Sequence, residues 1–140
     1  MGYSDLVLKV DQALADKQIS GMLLLCFEND RPLQGTLAEL DWRFNGHFSK
    51  LIKKQLFTGA KGETLYAPLR WNDRTLHFLV VGGGFLASDS KRKSSASALF
   101  ESALKKLDEL KLSGMAVSTQ DWNITENHSG AKERGLCVVH

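Results

Sequence analysis

The chain has 140 residues, 43% of them hydrophobic, and 18 Lys and Arg against 16 Asp and Glu leave a formal net charge of +2. That length supports one core and a single domain over residues 1–140, and so small a charge makes no case for nucleic acid by itself. The two cysteines exclude a disulfide framework, no apolar run is long enough to span a membrane, and "MGYSDLVLKV" is too short and acidic for a signal peptide, so a cytoplasmic protein with no membrane partner is expected.

In chain order, "DLVLKV" (5–10) and "GMLLLCFE" (21–28) are short apolar runs bounded by turn or charged residues, the pattern of strands buried on both faces. "DQALADKQIS" between them reads as a connection. After Asn29-Asp30-Arg31-Pro32 the period changes: Leu37, Leu40, Phe44, Phe48, Leu51 and Ile52 recur at helical spacing, and Asn45-Gly46 divides them into two short helices. "GETLYAPLRWNDRTLHFLVVGGG" then predicts two strands joined at Trp71-Asn72-Asp73-Arg74.

From Lys91 to Leu110 the apolar set Ala96, Leu99, Phe100, Ala103, Leu104, Leu107 and Leu110 follows the i, i+3, i+4 rule of an amphipathic helix. "SGMAVST" and the terminal "RGLCVVH" read as further strands, whereas Gln120 to Arg134 carries no assignable period. Strands alternating with amphipathic helices predict an α/β sandwich with a mixed, largely buried sheet. Its ligands are expected outside the carboxyl ends of the strands, where the glycines fall.

The run "LAELDWRFNGHFSKLIKKQLFTGAKGETLYAPL", Leu37 to Leu69, resembles the amino-terminal domain of the leucyl (cytosol) aminopeptidase family. There an Ala-Glu-Leu-Asp helix, a glycine, a second helix and an F-x-G-K-x-G-E turn lead into a strand. With the Val-Gly strand end and the Ala-rich helix, the resemblance covers about residues 5–119. It implies a macro-domain-like three-layer sandwich with a mixed β-sheet flanked by helices. It also implies a domain without the active site, since the two-metal peptidase chemistry of that family belongs to a separate carboxy-terminal domain whose Asn-Thr-Asp-Ala-Glu-Gly-Arg motif is not in this sequence. Asp41, Gly46, Gly59, Gly62 and Glu63 align with recurring family positions and read as turn and cap residues.

The residues themselves offer little catalytic chemistry. His47, His77, His128 and His140 lack metal-ligand spacing, there is no Gly-x-Ser-x-Gly, and Asp5, Asp11, Glu28, Asp30 and Glu39 are unpaired by motif. No catalytic residue, metal site or cofactor is assigned. The one ligand motif weighed is "VVGGGFLASDSKRKSS", where Gly82, Gly83, Gly84 and Ser90 would form a phosphate site before a helix amino-terminus. It lacks the P-loop ending and the spaced dinucleotide fingerprint, and Asp89 would repel an anion and cap the helix alongside Ser90, so a plain turn is favoured. Lysines cluster at Lys50, Lys53, Lys54 and Lys61, and again at Lys91, Arg92 and Lys93, as solvated helical faces rather than a nucleic-acid surface.

The expectation is therefore a non-enzymatic binding, assembly or regulatory module that meets a protein partner or itself. The alternatives are a macro-like module for ADP-ribose or another nucleotide phosphate, and a fragment of a complete zinc aminopeptidase.

Overall fold

A computed structural model describes residues 10–125 and 127–139. Five strands, β1 (Gly21–Cys26), β2 (Thr64–Trp71), β3 (Arg74–Gly82), β4 (Met115–Ser118) and β5 (Cys137–Val139), form one sheet in the order β2-β3-β1-β4-β5. β1 runs parallel to β3 and β4, and β4 parallel to β5. β2 is the antiparallel edge, paired to β3 through the tight Asn72-Asp73 turn in which Asn72 takes a left-handed φ of 54°. The sheet is thus mixed, as its sequence pattern predicts.

All six residues of β1 are buried, because both faces of the sheet are covered there. Met22, Leu24 and Cys26 point into one core with Phe78 and Val80, and Leu23 and Leu25 into the other with Leu79 and Val81. The first core is closed by α1 (Val10–Ala15), α2 (Gly35–Arg43) and α3 (His47–Lys53), which contribute Leu14, Leu37, Leu40 and Phe48. The second is closed by α4 (Arg92–Glu109), α5 (Thr119–Trp122) and α6 (Ser129–Glu133). α4 supplies Phe100, Leu104 and Leu107, each worth about 1.5–3 kcal/mol when fully buried. The result is a three-layer α/β/α sandwich. Among the described residues no helix is long and apolar enough to cross a membrane.

Two expectations are corrected. The first half of the stretch read as a connection, residues 11–15, continues a helix from Val10, α1, because Val10, Ala13 and Leu14 at i, i+3 and i+4 all reach the core, while residues 16–20 do connect it to β1. The unassigned segment from Gln120 to Arg134 contains most of α5 and all of α6, too short to show a period. Trp122 anchors it, fully buried, with its indole N–H donating to the Leu23 carbonyl at 3.2 Å. The strand expected over residues 5–10 lies outside the described residues except for Val10, which opens α1.

Candidate functional site at the carboxyl ends of β1 and β4

From β1 the chain crosses to the β2-β3 hairpin on one side, and after β3 it crosses back over β1 to β4 on the other. Such a switch opens a crevice outside the carboxyl ends of the strands, because the two connections leave in opposite directions. Here the crevice encloses about 570 Å³ between Leu25, the Gln34-Gly35 entry to α2, Arg92 at the start of α4, and Asp121 and Asn123 beyond β4. Among the described residues its wall carries no Ser, Cys or His.

Lys93 and Arg92 are the basic residues of its wall, and Arg92 is paired with Asp30, which lies outside the lining. Asp30, three residues after Phe27, is buried to 4% exposure, and its Oδ2 accepts the Phe27 N–H at 3.0 Å. Arg92 reaches down from α4 and donates from both terminal guanidinium nitrogens to the two oxygens of Asp30, a fork that lysine could not reproduce. The guanidinium also lies 5.1 Å from the centroid of the Phe27 ring. The hydrogen bond to Asp30 is the main cause that holds Arg92 above its ordinary pKa.

Asp121 closes the other side. Its Oδ2 accepts the Thr36 N–H at 3.1 Å, so a side chain from α5 caps α2, whose own preceding residue Gln34 makes no cap. Burial pushes the Asp121 carboxyl above the usual carboxylate range, against the hydrogen bonds from Thr36 and the nearby Arg92 charge, which pull it down. Behind these groups, burial and then the Asp30 charge push the Cys26 thiol up to about 11, which leaves it protonated at neutral pH. The constellation locks β1, α2, α4 and α5 together. No group in it is poised as a nucleophile beside a base.

Sequence reasoning named Asp30 only as one acid among several, placed Arg92 on a solvated face, and missed Asp121. A signal for Asp121 did exist: Ser118-Thr119-Gln120-Asp121 has the spacing of a capped helix start, and the Ser118 hydroxyl accepts the Asp121 N–H at 3.2 Å. Of the other acids, Glu28 and Glu39 are exposed, and Asp5 and the Asp11 side chain lie outside the described residues.

The glycine stretch sits at the end of β3. The Gly82 N–H donates to the Glu63 carbonyl, that of Gly83 to Cys26 and that of Gly84 to Gly59, at 2.7–2.9 Å. The amides of all three glycines are thus committed to the chain. A Cβ on Gly83 would stand 2.5 Å from the Phe27 ring, and Gly84 has a φ of +82°, so close packing and a left-handed turn account for both glycines. Ser90 is exposed, and its hydroxyl pairs with that of Ser88 at 2.8 Å. The expected capping by Asp89 and Ser90 is not formed: a short 3-10 turn over Asp89–Lys91 runs into α4 without a side-chain cap.

The turn and cap assignments fare better. Asp41 accepts the Ser49 N–H at 2.9 Å and its hydroxyl, tying α2 to α3, and Glu63 accepts the amides of Thr58 and Gly59 around the turn. His77 Nδ1 lies 2.6 Å from the Tyr66 hydroxyl on the sheet, and His128 Nδ1 accepts the Ala131 N–H at the start of α6. Among the described residues no three His, Cys, Asp or Glu side chains gather as a metal-holding group.

Residues 23–134 match the sequence profile of the cytosol aminopeptidase family, N-terminal domain. The chain belongs to that family. The match starts later than the resemblance read from the sequence and runs further, taking in α5 and α6 and with them Asp121 and Trp122. A probable cytosol aminopeptidase of Sulfurihydrogenibium sp. is 29% identical over 112 residues, which are 79% of this chain and 21% of that protein. A mutant of tomato leucine aminopeptidase shares the fold with a TM-score of 0.50 at 24% identity, covering 81% of this chain and 22% of that one. The chain therefore spans about a fifth of the length of these relatives.

Proposed function

We propose that this chain acts as a non-catalytic binding or assembly module of the cytosol aminopeptidase type rather than as a peptidase. The observation that carries the reading is that the family match falls wholly within the N-terminal domain. The crevice is consistent with it: Asp30, Arg92 and Asp121, which could have served as acid, base or oxyanion donor, spend their hydrogen bonds on holding secondary-structure elements together. The site works as a structural lock, and the function is carried by the surfaces that the lock keeps in place.

The test is hydrolysis of leucine p-nitroanilide by the purified 140-residue chain, with zinc or manganese added. Release of nitroaniline at the rate of the protein-free control is the expected result. Metal-dependent turnover that saturates with substrate would overturn the proposal.

A further inference from the structure

The face formed by α2 and α3, on the opposite side of the sheet from α4, carries two adjoining depressions of about 670 and 700 Å³ that share Ala38 and Asp41. The floor of the first includes Leu33, Ile52 and Phe57, and Trp71 lies in the second. Trp42 stands beside them at 80% exposure, and Leu56, which follows α3, at 65%. Single exposed apolar residues are ordinary, but an apolar trough with a tryptophan on its rim marks a contact surface.

The rim is basic. Arg31 and Lys53 line the first depression and Arg43 the second, while Lys50, one turn before Lys53, and Lys54, which closes α3, extend the same side. Lys50, Lys53 and Lys54 form no ion pair among the described residues. The acids here are Glu39 and Asp41, the latter in the lining of both depressions with its oxygens accepting from Ser49, and the five cations outnumber them. The trough therefore presents apolar floor and positive edge together.

We infer that this groove is a docking site for an amphipathic protein segment with an apolar stripe and acidic flanks, seated along α2 and α3. A second copy fits poorly, because a two-fold contact would set this basic rim against itself. A nucleic acid would use the lysines and leave the apolar floor unfilled. The inference deepens the binding-module reading and rests on it.

The test titrates the isotope-labelled 140-residue chain with a synthetic amphipathic helix peptide bearing Leu and Phe on one face and Glu on the other. An isomer with Lys in place of each Glu and a single-stranded oligonucleotide serve as comparisons, and backbone and indole amide shifts are read. The acidic peptide is expected to give saturable shifts at Ala38, Trp42, Ile52 and Lys53, and Trp42→Ala or a combined Lys53→Glu, Lys54→Glu change should weaken it at least about tenfold. All three side chains are exposed, and the unliganded spectra of the variants should overlay on the parent away from the groove.

No saturable shift up to roughly millimolar acidic peptide would overturn the inference, that limit being the weak end of the affinity scale. So would equal affinity for the Lys isomer, tighter binding of the oligonucleotide at the same residues, or a dimer in sedimentation that Trp42→Ala dissolves. A silent titration of a hydrolytically inactive chain removes this surface and leaves the module reading standing. Peptidase turnover removes that reading whatever the peptide does.

Discussion

Truncating Arg92 to Ala tests whether the crevice is a lock. The change strips the Asp30 carboxylate, 4% exposed in the parent, of both its Arg92 hydrogen bonds and leaves it the one from the Phe27 N–H. Breaking a fully buried ion pair costs about 3–5 kcal/mol. The Arg92 side chain is 33% exposed, so water screens the pair and the cost is roughly halved, to about 2 kcal/mol. Loss of the guanidinium from the Phe27 face adds about 0.5–1 kcal/mol. With a urea m-value of about 1–3 kcal/mol per molar, the midpoint should fall by roughly 1–3 M at unchanged slope. Circular dichroism of urea unfolding measures it. Adding Asp30→Asn to the Arg92→Ala background should recover part of the loss, since the stranded charge is gone, and Arg92→Lys should sit between parent and alanine variant. A midpoint for Arg92→Ala within about 0.3 M of the parent, or single losses that simply add in the double variant, would refute the reasoning.

Three further outcomes are expected. Asp121 has a folded-state pKa above its unfolded value, so folding takes up a proton and its stability contribution declines as pH rises from the ordinary carboxylate range through the raised value. Urea unfolding at a series of pH values should therefore show the parent losing ground to Asp121→Asn across that window and holding a constant gap above it, and a gap independent of pH would contradict the assignment. Gly83→Val forces a side chain onto the buried Phe27 ring and should cost about 1–3 kcal/mol, while ADP-ribose or ATP should leave the parent amides of Gly82 to Gly84 unshifted in an NMR titration. Cys26, buried and with its thiol pKa about 11, should be alkylated by iodoacetamide at pH 8 far more slowly in the native chain than in urea, as followed by mass spectrometry; equal rates would place it outside the core.

Much of the architecture is local and was therefore legible. The six-residue apolar run of β1, the Asn72-Asp73 turn, the Asn45-Gly46 break and the long stripe of α4 each declare themselves through a period or a turn residue, because each depends on neighbours a few positions away. The Leu37 to Leu69 motif carried the family for the same reason. α1 was missed although Val10, Ala13 and Leu14 had the spacing, since six residues are outweighed by the polar positions between them.

The site depended on distance in sequence. Asp30 and Arg92 are 62 residues apart and Thr36 and Asp121 are 85 apart, and no local pattern distinguishes Asp30 from other acids or Arg92 from the lysines beside it. Gly82 to Gly84 suggested a phosphate because glycines before a helix often hold one, yet only the folded chain shows Ala60, Phe27 and Lys61 against their Cα positions and the carbonyls of Glu63, Cys26 and Gly59 taking their amides. The sequence by itself determined which segments could be strands and helices, since that is a matter of short-range spacing. Which charges are buried, which amides are spent and which tryptophan is left in water were decided only when the sheet brought distant segments together, because burial and hydrogen bonding belong to neighbours in space.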